Sequence, residues 1–175
     1  MKIEELKNNI IDVIKESQIK LGYEKSFVSL YYPLEVLNNL LEVQYEACEM
    51  QEKLSEQMQD IIELGKIEVS HRNGRFCIKV SEEGNRYVHE NIADNPFLHD
   101  FLKCIQLHCT KEDIIDVFHK HSNDVVVEDV DTDEFDFLIY FDNGKPDAYR
   151  YCVHFEGGHA IYHRFSKKEY ELYNF

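Results

Sequence analysis

An α+β protein is the fold class that the sequence predicts, and three observations carry it. Apolar residues recur at helical spacing through the first third of the chain. An Asn73-Gly74 pair sits between two alternating runs in the middle, the strongest short signal of a β-hairpin. The C-terminal part breaks into short β-branched and aromatic runs separated by turn residues.

Residues 3–21 place Ile3, Leu6, Ile10, Val13, Ile14 and Leu21 on a helical repeat, with Gly22 as the stop. Pro33 suits the first turn of a second helix, which carries Leu34, Leu37, Leu40 and Leu41. A third helix is predicted to run to about Leu64, with Leu54, Met58, Ile61 and Ile62 on one stripe and Gly65 as its end. The hairpin over 67–80 puts Ile67, Val69, Phe76, Ile78 and Val80 on one face with His71. Glu68, Ser70, Arg72, Arg75, Cys77 and Lys79 take the other. Ser81 then caps a short helix whose first turn holds Glu82 and Glu83, where negative charge meets the positive helix end.

Asn95-Pro96 marks the expected boundary, dividing the chain into a helical half with a hairpin wing (1–94) and a second half of helices on an antiparallel sheet (95–175). Beyond it Phe97, Phe101, Cys104, Ile105 and His108 form one helical stripe. Another helix begins at Thr110 with Asp113 three residues on, and carries Ile114, Ile115, Val117 and Phe118. Strands are predicted over 125–127, 135–141, 149–155 and 160–165, with Asp142-Asn-Gly144-Lys-Pro146 as the turn between the middle pair.

The chain has 175 residues and 43% apolar content, enough to bury a core without a disulfide or metal staple. No apolar run approaches a membrane span, and the opening Met-Lys-Ile-Glu-Glu-Leu has no signal-peptide core, so a cytoplasmic protein is predicted. The five cysteines form no Cys-x-x-Cys pair and read as reduced thiols. Net charge is −15, unevenly spread: residues 1–65 hold 6 basic and 13 acidic groups, residues 66–95 hold 5 of each, and residues 96–175 hold 8 and 16. Such a field argues against nucleic acid and anionic membrane as general partners and suits a basic protein surface or cations.

Two resemblances follow from these residues. Gly65-Lys-Ile-Glu-Val, the Asn-Gly hairpin and Ser81-Glu-Glu-Gly-Asn-Arg-Tyr87 resemble the wing and following helix of bacterial winged-helix regulators, over roughly residues 1–92. Leu30-Tyr-Tyr-Pro33-Leu, Phe135-Asp-Phe-Leu-Ile-Tyr, Tyr149-Arg-Tyr-Cys152 and Ile161-Tyr-His-Arg-Phe165 resemble an uncharacterised bacterial domain-of-unknown-function family of anaerobic Gram-positive type. The first implies a fold and a DNA-binding role; the second implies architecture and no activity.

Three candidate sites remain. In a winged helix the helix before the wing enters the major groove, but that segment here carries Glu46, Glu49, Glu52, Glu56, Asp60 and Glu63 against Lys53. Only the wing, with Arg72, Arg75 and Lys79, suits phosphate. The second site is the hairpin 151–165 around Gly157-Gly158, which places Cys152, His154, Glu156, His159 and His163 on one face. Those types can hold zinc or another divalent metal, and an open position would permit hydrolysis, with Glu156 as a base. The third is the run 128–136, six carboxylates in nine residues, where Asp129, Asp131 and Asp133 imitate the start of a calcium loop. Glu134 stands at its glycine position and Tyr140 at its closing glutamate, so a solvated turn is the expectation.

Cys104 and His108, four apart on an apolar stripe, read as core packing, and His119 and His121 as a positive helix end. No P-loop, dinucleotide Gly-x-Gly-x-x-Gly, His-Glu-x-x-His or Gly-x-Ser-x-Gly occurs. The expected function is that of a non-catalytic protein-interaction protein with an acidic surface and 22 aromatic side chains for recognition. A metal-assisted hydrolase and a DNA-binding winged-helix regulator are the alternatives.

Overall fold

A computed structural model describes residues 2–106, 108–130 and 132–173. The chain is α+β and divides into two compact units, Met1–Ala93 and Asp94–Phe175.

The first unit runs α1 (Ile3–Leu21), β1 (Val28–Pro33), α2 (Leu34–Leu41), α3 (Ala47–Gln57), β2 (Ile67–Arg72), β3 (Arg75–Val80) and α4 (Glu82–Asn91). Its antiparallel sheet has the order β1-β3-β2, so the elements up to β3 follow the winged-helix path, with β2–β3 as the wing. Gly22 takes φ 73° and returns its N–H to the Gln18 carbonyl, ending α1. Asn73 and Gly74 both take positive φ, as a two-residue turn of this twist requires. The core joins Leu6, Ile10 and Ile14 of α1 to Leu37, Leu54 and Phe76, all fully buried. Two polar ties cross it: the Tyr32 hydroxyl donates to Asn9 Oδ1 at 2.7 Å, and Gln18 Nε2 donates to the Asn85 carbonyl at 2.8 Å.

Two expectations change in this unit. Pro33 does not open a helix. It closes β1, a strand absent from the sequence reading, and α2 begins one residue later. The third helix stops at Gln57 and continues only as two short 3-10 turns, Met58–Asp60 and Ile62–Leu64, before Gly65 at φ 62°. Of the expected stripe Leu54, Met58 and Ile61 are buried, but Ile62 is 86% exposed, because the break into 3-10 turns rotates it outward and puts Leu64 inside instead.

The second unit runs α5 (Pro96–Ile105), α6 (Lys111–His121), β4 (Val125–Asp129), β5 (Phe137–Phe141), β6 (Arg150–Glu156), β7 (His159–Phe165) and α7 (Lys167–Tyr173). The four strands form a consecutive antiparallel sheet. Asn95 caps α5 through its side chain, and Thr110 with Asp113 forms a reciprocal capping box on α6. Phe97 is the hub of the aromatic core, edge-on to Phe118 at 4.7 Å and to Phe141 at 4.8 Å between ring centroids. His108 lies beyond the end of α5, so the expected helical stripe closes at Ile105. The terminal helix α7 carried no signal in the sequence reading.

Candidate functional site

The winged half presents two surfaces of opposite charge. On α3 the apolar side chains Met50 and Leu54 are fully buried, and the helical period turns Glu49, Glu52 and Glu56 outward beside Glu46. All four are exposed. Lys53 is engaged by Glu56 at 3.5 Å, and Glu46, Glu49 and Glu52 make no ion pair among the described residues. Glu63 is committed elsewhere: its own backbone N–H, and then Lys7 Nζ at 3.1 Å, hold its carboxyl below its ordinary value, and the same contact holds Lys7 above its own. The side chain of Asp60 lies outside the described set. A groove of about 560 Å³ beside the helix is lined by Ile3, Glu4, Lys7, Lys53, Glu56 and Glu63, and both of its lysines are paired with glutamates.

The wing is the positive surface. Arg72 and Arg75 are direct cross-strand partners and both are exposed. Neither forms an ion pair with any described residue. Lys79, half-buried, lies 4.6 Å from the Phe27 ring and helps hold the neighbouring Glu68 carboxyl below its ordinary value, after Lys66. Tyr31 of β1 faces Cys77 across the sheet, and a hydrogen bond with that thiol raises its phenol. Tyr23, Phe27 and Tyr31 are 59%, 51% and 62% exposed. Sequence reasoning missed this aromatic edge because it missed β1; the alternating Ser29-Leu30-Tyr31-Tyr32 was the available signal.

In the second half the hairpin pairs as its Gly-Gly turn predicts, with Cys152 opposite His163, His154 opposite Ile161 and Glu156 opposite His159. The five candidate ligands therefore share a face. They do not converge. Residues two apart on a strand stand about 6.8 Å from one another, which spreads Cys152 to Glu156 over roughly 13 Å. Each is also engaged locally or left in solvent. Cys152 is fully buried with Phe135 and Leu138, and burial pushes its thiol up to about 11. The His163 ring is exposed and stacks beside Phe165 at 5.9 Å. His154 Nδ1 stands 3.2 Å from Asp136 Oδ2, an oxygen that also accepts the Phe155 N–H at 2.7 Å. Glu156 is exposed, and the exposed His159 ring lies 5.0 Å from that of His108, whose Nδ1 is 3.0 Å from the Gly158 carbonyl oxygen. Among the described residues no three His, Cys, Asp or Glu side chains come together as a metal site.

The acidic run is largely spent on the scaffold. Asp129 pairs with Lys111 at 2.6 Å and Glu128 accepts the Tyr140 hydroxyl at 3.0 Å, while Asp131 lies outside the described residues. His121 at the end of α6 contacts Asp100 at 2.8 Å, and Lys120 with His121 holds that carboxyl below its ordinary range. No described helix is long and apolar enough to cross a membrane.

Residues 3–173 match the family described as "Domain of unknown function, E. rectale Gene description (DUF3877)". Comparison with curated proteins and with solved structures returned no match.

Proposed function

This chain belongs to the DUF3877 family, whose function is unknown, and for it we propose a non-catalytic interaction role in the cytoplasm, in which the outward face of α3 docks a basic protein surface. The observation that carries the reading is the row of Glu49, Glu52 and Glu56, with Glu46 at the N-cap, on the helix that a DNA-reading winged helix would insert into the groove. Each carboxylate there repels phosphate, whereas a cationic protein surface gains both attraction and faster encounter. The exposed aromatic edge of Tyr23, Phe27 and Tyr31 adds rigid apolar contact area in the same unit. The cytoplasmic assignment draws support from five cysteines that all carry free thiols.

The test is co-purification from the native host at physiological salt, comparing wild type with a Glu49→Lys/Glu52→Lys/Glu56→Lys variant. The expected outcome is a basic protein enriched by wild type, released at about 0.5 M salt where screening is nearly complete, and missing from the variant. No partner above background, or one that the variant retains, ends the reading.

A second reading, a regulator touching DNA through its wing, has one observation in its favour: Arg72 and Arg75 oppose each other without a carboxylate partner among the described residues. Duplex binding would then weaken steeply with salt and on Arg72→Ala/Arg75→Ala; insensitivity to both excludes it. The hydrolase reading has no comparable support, because its ligands stand apart along the strands.

A further inference from the structure

The sheet β1-β3-β2 buries one face and leaves the other open. Leu30 and Tyr32 of β1, with Phe76, Ile78 and Val80 of β3, turn inward and are buried. Alternation turns Tyr31 to the open side, in a row with Cys77 and Ser70, both small. That row lies between Lys79 on one side and the Arg75–Arg72 pair on the other. Phe27, one residue before β1, extends the same face, since Lys79 Nζ stands 4.6 Å from the centre of its ring. A groove of about 470 Å³, lined by Tyr23, Lys25 and Phe27, runs to Ser29 of β1. Two features of this face are unfavourable while it meets only water. Arg72 and Arg75 oppose each other directly, and like charges across a strand pair are destabilising. Neither has a carboxylate partner among the described residues, although the chain holds 34 acidic side chains against 19 basic ones. Tyr31 and Phe27 also leave 62% and 51% of their surface in solvent.

An anion would relieve the first feature and a flat ring the second. Single-stranded nucleic acid carries both in alternation along one chain. A duplex hides the faces of its bases in its own stack, so Tyr31 and Phe27 would gain nothing from it. An acidic peptide supplies the charge without the planes. We propose that this open sheet face binds single-stranded nucleic acid, with bases stacked on Tyr31 and Phe27 and phosphates on Arg72, Arg75 and Lys79. Glu68, the carboxylate on this face, is paired with Lys66 at 2.9 Å. The net charge of −15 works against any polyanion at long range, so affinity rests on these few contacts and is modest. The site uses different charged residues from the acidic row of α3, and either reading can fail alone.

The experiment titrates the full chain into labelled oligothymidylate and oligouridylate of about 12 nucleotides, and into a duplex of the same length, read by fluorescence anisotropy. Titrations run at about 50 mM and about 200 mM salt, where three phosphate contacts predict a slope of log affinity on log salt near −2. Single strands should bind more tightly than the duplex, and a preference between the two strands identifies the sugar. Tyr31→Ala should weaken binding about tenfold while Tyr31→Phe keeps it, because the ring and not the hydroxyl carries the stack. Arg72→Ala/Arg75→Ala should flatten the slope to about −0.7. Four results would overturn the proposal: no binding of either strand at low salt, a duplex bound as tightly as the strands, indifference to Tyr31→Ala, or displacement of the strands by polyglutamate at equal charge. The second returns the wing to duplex contact, and the last makes the face a site for acidic peptides. The comparison of strand with duplex on the wild type decides the matter even where a variant does not fold.

Discussion

Cys152 illustrates how one side chain can belong to a motif by position and to a core by environment. The hairpin register sets it across from His163, yet Phe135 and Leu138 exclude water from it. A thiolate there would lose its hydration, so its value rises from 9.0 to about 11. This shift has a consequence for stability. As pH rises past 9 the unfolded chain loses the thiol proton first, while the folded chain keeps it, so unfolding is favoured. The contribution is fully present below about pH 9 and lost progressively towards pH 11, on the order of 2 kcal/mol. Urea midpoints of wild type and Cys152→Ala at about pH 8 and pH 10.5 check it. Wild type should lose more stability over that interval, and parallel losses would place the alkaline transition in other groups.

Elements in this chain are specified to different degrees. The two hairpins are written locally, because Asn73-Gly74 and Gly157-Gly158 accept the positive φ that their turns demand. Strand β1 is not. Its partner is β3, with Val28 opposite Val80, and nothing within the Val28–Pro33 segment announces so distant a pairing. Pro33 misleads for a related reason: the same fixed φ that suits a helix start also suits a strand end. Helix α4 shows a contact of the same long-range kind. A Cβ added at Gly84 would lie 2.4 Å from the Leu64 carbonyl oxygen and 2.5 Å from Val80 Cγ1, so the helix rests directly on the 3-10 turn before the wing. Gly84→Ala should therefore destabilise by about 1–3 kcal/mol despite the better helix propensity of alanine. A lowered urea midpoint with unchanged slope is the expected result; a raised midpoint would mean that α4 does not pack so closely.

Considered whole, the chain builds two cores, one around Leu6, Ile10, Leu37 and Phe76 and the other around Phe97, Phe101, Phe118 and Tyr151. Each unit is of a size at which single domains fold, though near the lower end of the usual range. Fragments 1–93 and 94–175 should each give a cooperative urea transition and native far-UV circular dichroism. A fragment that melts without cooperativity would show that its core is incomplete alone.

By itself the sequence determined the α+β class, the three helices and the hairpin of the first half, both hairpin registers and the cap at Thr110, because each rests on short-range periodicity or on the allowed angles of one or two residues, whereas the side-chain cap expected at Ser81 does not form. Tertiary structure alone decided which reactive groups meet. Parity correctly put Cys152, His154, Glu156, His159 and His163 on one face, but strand spacing and local contacts hold them apart. Periodicity specifies the face on which a side chain stands; distance across that face is set by long-range packing.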